Sequence, residues 1–385
     1  MATAAYPTRE DEIVDAIADA ARDGTTLTIG SGGSKAGFGA NSSACTLAMN
    51  GFAGVVDYDP AELVLTVRPG TPLSEIQTLV ASQAQMLAFE PFDHGPIYGR
   101  VIGAATIGGV VAAGVAGSQR VSSGGARDHL LGFRAVSGAG EAFVAGAKVV
   151  KNVTGFDLPK LAAGSWGRLF AMTEITLKVL PCPRVTATRL IEGLSLAQAL
   201  KAMAMAMGSQ AEIAAAAHVP GYQSGARELT VFRIQGFGPS VSARCAMLEA
   251  LLCAVGRVET PGDDEAASLW NDLRTLAPIG SDRTLWRINV APSAAQAVVS
   301  ALHPLGAEWM LDWAGGLIWL GFDGDPNAVR DMAALGGGHA TLVRASDKVR
   351  AAVPAFHPAA PGVAALEERV RRAFDPKGVF ETGRF

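Results

Sequence analysis

Apolar and polar positions follow two different rhythms along this chain, and the texture changes near residue 183. Over residues 8–21, Ile13, Val14, Ile17 and Ala21 fall on one side and acids on the other, which predicts an amphipathic helix. Thr8 and Asp11 have the spacing of a capping box, with Asp where Glu is usual. TLTIG predicts a short buried strand ending at Gly30, followed by a tight turn from Ser31 to Lys35. Strands are expected within 44–56 and 63–68, then a Pro69-Gly70 turn and a helix opening at Pro72. Residues 169–180 alternate as a strand does, and Pro181 and Pro183 mark a boundary. Beyond Arg184, helical segments (196–208, 240–254, 292–302) alternate with the strand-like ELTVFRIQGF, LWRINVA and LIWLGFDG, an α+β pattern. From Gly336, GGGHATLVRA and KGVFETGRF read as a return segment. The expected organisation is therefore a first domain over 1–183, a second over 184–335 and a returning segment over 336–385.

The stretch from Val101 to Gln119 carries no charge over 19 residues, close to the roughly 20 that cross a bilayer. Its glycines argue against a span. Gly103, Gly108, Gly109, Gly114 and Gly117 add little transfer energy and weaken a helix by about 1 kcal/mol each. Such a run suits a backbone pressed against something flat and bulky inside a protein, and a buried cofactor is the leading occupant.

Composition narrows the class. The 385 residues are enough for two or three domains with real cores, 49% are hydrophobic and only 18% charged. A net charge of -4 without a basic aromatic patch excludes nucleic acid as a general partner. Cys45, Cys182, Cys245 and Cys253 form no CxxC pair, so the chain is not expected to hold an iron–sulfur cluster itself. The acidic N-terminal stretch has no apolar core of a secretory signal, and a reduced cytoplasmic setting is expected. Met203, Met205 and Met207 do not keep to one helical face and read as core filling. Trp309, Trp313 and Trp319 suit either an interface or a core.

Neither standard phosphate motif is present. A dinucleotide fingerprint would need glycine where Lys35 stands, and Ser34-Lys35-Ala36 is not a Walker loop. A nest of N–H groups at Gly30, Gly32 and Gly33 can still hold a pyrophosphate. Further along come VRPG at 67–70, TIGG at 106–109, RDHLLG at 127–132, KNVTGFDL at 151–158 and GSWGRLFAMTEITLKV at 164–179. In that order these motifs resemble the FAD-binding domain of the vanillyl-alcohol oxidase and p-cresol methylhydroxylase superfamily. Closer still, VVKNVTGFDLPKLAAGSWG and FDPKGVFETGRF resemble the small flavin-binding subunits of bacterial glycolate oxidases.

The resemblance implies an α+β fold: a flavin domain of two small α+β subdomains and an α+β cap. It implies FAD, held noncovalently, since neither His94 nor His129 lies in the pyrophosphate loop. Gly30, Ser31, Gly32, Gly33, Ser34 and Lys35 would meet the pyrophosphate, beside the Pro69-Gly70 turn. Gly103, Thr106, Ile107, Gly108 and Gly109 would lie along the flavin, with Gly114 permitting close passage. Asn152, Gly155 and Asp157 would fix the loop beneath it, with an ordinary Asx turn as the alternative for Asn152 and Asp157. Gly164, Gly167 and Leu169 would contact the adenine or ribose end. Arg127 and Asp128 would belong to the cofactor shell or form an exposed ion pair.

Chemistry is less legible. Related hydroxy-acid dehydrogenases use clustered histidines, a carboxylate and often a divalent metal. Here the histidines at 94, 129, 218, 303, 339 and 357 form no H-x-H pair, and no metal site is expected. His339 is the candidate base, and Arg344 the candidate for binding a substrate carboxylate. The same resemblance implies a larger flavoprotein subunit and an iron–sulfur subunit as partners, with glycolate oxidised to glyoxylate by the assembly. It implies membrane association only through those partners. Two alternatives stay open: a self-sufficient FAD-dependent 2-hydroxy-acid dehydrogenase, and a non-enzymatic assembly module with a decayed flavin groove.

Overall fold

The first predicted helix forms over Glu10–Asp23, burying Ile13, Ile17 and Ala20. Glu12 rather than Asp11 serves its N-terminus, accepting from the Thr8 amide at 2.7 Å and the Arg9 amide at 3.3 Å. Asp11 is taken instead by the Arg9 guanidinium. The computed structural model describes residues 4–147, 156–222 and 227–385. They fall into two units. One comprises Met1–Gly117, Gly124–Cys182 and Pro358–Phe385, the other Ser118–Ser123 and Pro183–His357.

In the first unit, strands Leu27–Gly30 and Cys45–Ala48 run parallel as a pair. A separate antiparallel sheet has the order Val55–Asp59, Val64–Val67, Phe170–Lys178, Leu130–Ser137, Ala142–Gly146. The helix Glu10–Asp23 joins the two, because Ile13 and Ile17 share one apolar cluster with Leu27, Leu47, Val136 and Ala171. Val379 and Phe380, from the far end of the chain, complete that cluster. The uncharged Val101–Gln119 stretch forms no long helix. Ile107–Ala113 is helical for seven residues and stops at Gly114, whose φ is +64°.

The second unit is built on a seven-stranded antiparallel sheet, in the order Val185–Glu192, Arg227–Gly236, Ala215–Gly221, Glu308–Asp312, Leu317–Gly321, Leu285–Asn289, His339–Arg344. Helices Leu196–Met207, Gly238–Leu252, Ala295–Leu302 and Pro326–Leu335 cover one face and share a core with Phe232, Trp286, Ile288, Ile318 and Leu320. Met203 is fully buried in that core, and Trp309, Trp313 and Trp319 are all buried. Strand alternation puts Arg287, Asn289, His339 and Thr341 on the opposite face. The expected return at 336 therefore comes later. His339–Arg344 pairs with Leu285–Asn289 as an edge strand of this sheet, and only Pro358–Phe385 belongs to the first unit. Among the described residues, no helix is long and apolar enough to cross a membrane.

Candidate flavin site

The strand Leu27–Gly30 delivers the chain into the turn Ser31–Lys35, and this turn forms one wall of a cavity of ≈ 330 Å³ in the first unit. Sites for small molecules usually occupy roughly 300–1,000 Å³. Thr106, Gly108 and Gly109 line it from the next segment, Trp166, Gly167 and Arg168 from another, and Thr382, Arg384 and Phe385 from the end of the chain. The three charged side chains that line it are Lys35, Arg168 and Arg384, all cationic, with no carboxylate among them. Arg168 also meets Glu381 at 3.8 Å and the Arg384 guanidinium donates to loop carbonyls, so the positive balance at this concavity rests chiefly on Lys35, which suits an anionic ligand.

The backbone supports the same conclusion. The N–H groups of Gly32, Gly33 and Ser34 have no partner among the described residues. The Ser31 hydroxyl oxygen is buried and likewise unpartnered. A buried polar group left without a protein partner is rare and expensive, so the Ser31 hydroxyl beside three unpartnered amides marks a place where a ligand can supply the bonds. Gly32 can approach closely only because it lacks a side chain: a Cβ there would stand 1.7 Å from the Ala104 carbonyl oxygen. At Gly109 a Cβ would meet no wall; it would project into the space between the Thr106 hydroxyl (3.6 Å) and the Lys35 ammonium (3.9 Å).

Lys35 as a whole residue is partly exposed, but its ammonium end is enclosed, with Ser34 Oγ at 3.4 Å. Burial pushes its pKa down to about 8, and the nearby Asp93 carboxylate only partly offsets this. Asp93 also organises the neighbouring segment. Its carboxylate accepts from the amides of Gly95 (2.7 Å), Gly103 (2.7 Å) and Ala105 (3.2 Å). The unpartnered amides, the hydroxyl and the cations together fit a pyrophosphate, and the apolar side of the cavity (Ile29, Met49, Met172, Phe380) fits the remainder of a dinucleotide.

The structure gathers some of the sequence-derived residues and separates others. Gly30, Ser31, Gly32, Gly33, Ser34, Lys35, Pro69, Thr106, Gly108, Gly109 and Gly167 all line the cavity. Gly70, Gly103, Ile107, Gly114, Arg127, Asp128, Asp157, Gly164 and Leu169 do not. Gly70 packs instead against the Met49 and Phe52 carbonyls, and Ile107 is a core residue with no exposure. The amides of Ile107 and Gly108 are already bonded to the Thr71 and Pro69 carbonyls, so they are not free donors for a flavin. Asp128 accepts from the Gly125 amide, and Asp157 is exposed and pairs with Lys160 at 3.1 Å. Asn152 and Gly155 lie outside the described residues. Sequence reasoning missed Asp93, Trp166, Arg168 and the terminal Thr382, Arg384 and Phe385. Only the likeness of the ETGRF ending to its relatives pointed toward the tail.

Both proposed catalytic residues lie on one strand of the second unit. The Arg344 guanidinium is consumed by carbonyls, donating to Gly280 at 2.7 Å and to Arg283 at 3.1 Å. It holds the 280–283 turn and is not free to bind a carboxylate. His339 lies in the second unit, with its pKa lowered by burial and by nearby Arg287 and His357, so it is neutral at pH 7. Neither His94 nor His129 lines the cavity. Among the described residues, no three His, Cys, Asp or Glu side chains are grouped as a metal site requires.

A parallel strand pair, an antiparallel sheet and a glycine-lined cationic cavity define the FAD-binding domain of the p-cresol methylhydroxylase fold. A family model described as an FAD binding domain matches residues 1–146. The structure of p-cresol methylhydroxylase superposes with a TM-score of 0.72 at 14% identity, over 98% of this chain and 87% of that one. An alkyldihydroxyacetonephosphate synthase gives 0.65 at 15% identity, over 97% and 75%. In sequence, the chain is 34% identical to the glycolate oxidase subunit GlcE of Escherichia coli (strain K12), over 97% of this chain and 96% of that protein. A D-lactate dehydrogenase of Anaerostipes hadrus is 33% identical, but over only 34% of this chain and 26% of that protein. The chain belongs to the GlcE family of FAD-binding oxidoreductase subunits.

Proposed function

We propose that this protein is the FAD-carrying small subunit of a complex that oxidises glycolate to glyoxylate and passes the electrons to an iron–sulfur partner. The observation that carries the reading is the cavity itself, with unpartnered amides, a lysine whose ammonium end is enclosed and no acidic side chain in its lining, together with likeness to GlcE over nearly the whole chain. When bound, FAD would supply a redox centre that can take up electrons and hand them to the iron–sulfur partner. The chain's own residues bind and orient. The Gly32–Ser34 amides, the Ser31 hydroxyl and Lys35 would hold the pyrophosphate, and Thr106 and Gly109 would border its neighbouring part. No histidine and carboxylate set is grouped among the described residues, which favours the larger flavoprotein subunit as the place of hydroxy-acid oxidation. Anaerobic glycolate should therefore bleach the absorption near about 450 nm only in the assembled complex. Bleaching of the isolated chain would overturn that division of labour.

One observation favours a second reading, in which this chain binds the substrate itself. Arg287 and Arg120 stand over the same indole, Trp313, at 5.0 Å and 4.3 Å, and neither has an acidic partner among the described residues. Burial, and then the neighbouring Arg120 charge, lower the Arg287 pKa to about 10, so it stays cationic at neutral pH. Trp313 and Ala314 hold left-handed backbone at φ +53° and +55°, a costly conformation for non-glycine residues. Arg287 and neutral His339 share one sheet face, so a carboxylate anchor and a proton acceptor lie together. On this reading Arg287→Leu raises the KM for glycolate by about tenfold or more, the loss of one charge-assisted contact, with flavin content unchanged. An unchanged KM in the complex sends substrate binding back to the partner.

A further inference from the structure

We propose that residues 380–385 act as a strap that sets the pyrophosphate loop, with Arg384 as the positioning residue. Within the loop, the Ala36 amide donates to the Gly33 carbonyl and the Phe38 amide to the Lys35 carbonyl, each at 3.0 Å. The Arg384 guanidinium holds the loop by donating to the carbonyls of Phe38 (2.7 Å), Ala36 (2.7 Å) and Lys35 (3.2 Å). In return the Ala40 amide donates to the Arg384 carbonyl at 2.9 Å. Gly39, at φ +73°, has no room for a Cβ, which would stand 2.6 Å from that same carbonyl oxygen.

The strap is itself anchored. The Leu27 amide donates to the Val379 carbonyl at 2.7 Å, which fixes the strap to the strand that feeds the loop. Buried Asp375 accepts from the amides of Val379 (2.8 Å) and Phe380 (2.7 Å). The Ser42 hydroxyl donates to the Thr382 carbonyl at 2.8 Å. The Phe385 ring lies 5.7 Å from both Phe38 and Trp166, which are stacked on each other at 3.9 Å. One short segment thus ties together the entering strand, the loop and the aromatic wall of the cavity.

The physical logic is polar alignment. A peptide turn with unpartnered amides at one end presents aligned carbonyls at the other, and a cation there favours an anion at the amide end. Charge-assisted bonds from a guanidinium to three carbonyls also fix the turn in one geometry. Arg384 therefore acts on the cofactor through the loop. The inference depends on the flavin site alone and not on which subunit oxidises the substrate.

The test is FAD binding by the full chain after flavin removal, followed by fluorescence, for the parent, Arg384→Ala, Arg384→Lys and Ser42→Ala. Arg384→Ala should weaken FAD binding by about tenfold or more, and ADP should lose affinity in the same proportion because both carry the pyrophosphate. Arg384→Lys should recover part of the loss, since a point charge replaces some but not all of a three-carbonyl contact. Apoprotein melting should stay close to the parent's, because the anchors at Asp375, Val379 and Phe380 remain. FAD and ADP affinities within about twofold of the parent for Arg384→Ala would overturn the proposal. If Arg384→Ala does not fold, Ser42→Ala carries the same test: a measurable loss of FAD affinity supports the strap, and parental affinity overturns it.

Discussion

Replacing Gly32 by alanine should strip the protein of flavin. The added methyl would sit 1.7 Å from the Ala104 carbonyl oxygen and 2.8 Å from its carbon, and backbone at that distance cannot rotate away as a side-chain tip can. The turn must lift off the 104–106 segment and carry the Gly32, Gly33 and Ser34 amides away from a common point. Each amide bond to a charged group is worth about 1.5–3 kcal/mol, so losing one or two weakens FAD binding by about tenfold at the least. Gly109→Ala is the informative contrast. Its Cβ clashes with nothing but enters the cavity beside Lys35 and Thr106, so the apoprotein should melt as before while flavin is held less tightly. The flavin-to-protein absorbance ratio after gel filtration reads both. Parental flavin content in Gly32→Ala would remove this turn from the site.

The affinity for FAD should fall as the solution is made alkaline, and Lys35 should be the reason. Without ligand Lys35 titrates at about 8, because burial outweighs the support of Asp93. An anionic pyrophosphate beside the ammonium raises that value in the complex, so binding takes up a proton in the interval between the two. Affinity is then level below pH 8 and drops above it, by at most about tenfold per pH unit. Lys35→Met should abolish this slope and weaken binding at neutral pH, which titrations from about pH 7 to about pH 10 would show. The apoprotein should behave in the opposite sense. Between about 8 and 10.5 the unfolded chain keeps a proton on this lysine that the folded chain has lost, so this group makes folding more favourable as pH rises through that window. A flat binding profile for the parent would show that Lys35 does not face the pyrophosphate.

Legibility varied with the range of the forces involved. The helix at Glu10–Asp23, the strand at Leu27–Gly30 and the helix at Leu196–Met207 were visible because each repeats a local pattern against one buried face. The glycines of the turn and of TIGG were visible because they are rare and clustered. Which of them touches the cavity was not. Gly70 and Gly103 resemble Gly32 and Gly109 as letters, yet they serve backbone packing and an Asp93 contact. Arg344 stood in the sequence only as a candidate for binding a substrate carboxylate. Its capture by the carbonyls of residues 280 and 283 depends on a strand partner more than fifty positions away.

The sequence by itself determined the two kinds of α+β texture and the side-chain-poor turns, since these are written in short, local spacings, while FAD followed from the resemblance of those turns, in their order, to a known flavoprotein family. Tertiary structure alone decided where positive charge accumulates and what holds the loop in place. Arg384 reaches carbonyls up to 349 residues away, and Arg287 and Arg120 meet over Trp313 from separate stretches of chain. Contacts of that separation leave no periodicity to read, because they arise only when folding closes loops whose two ends have no local reason to meet.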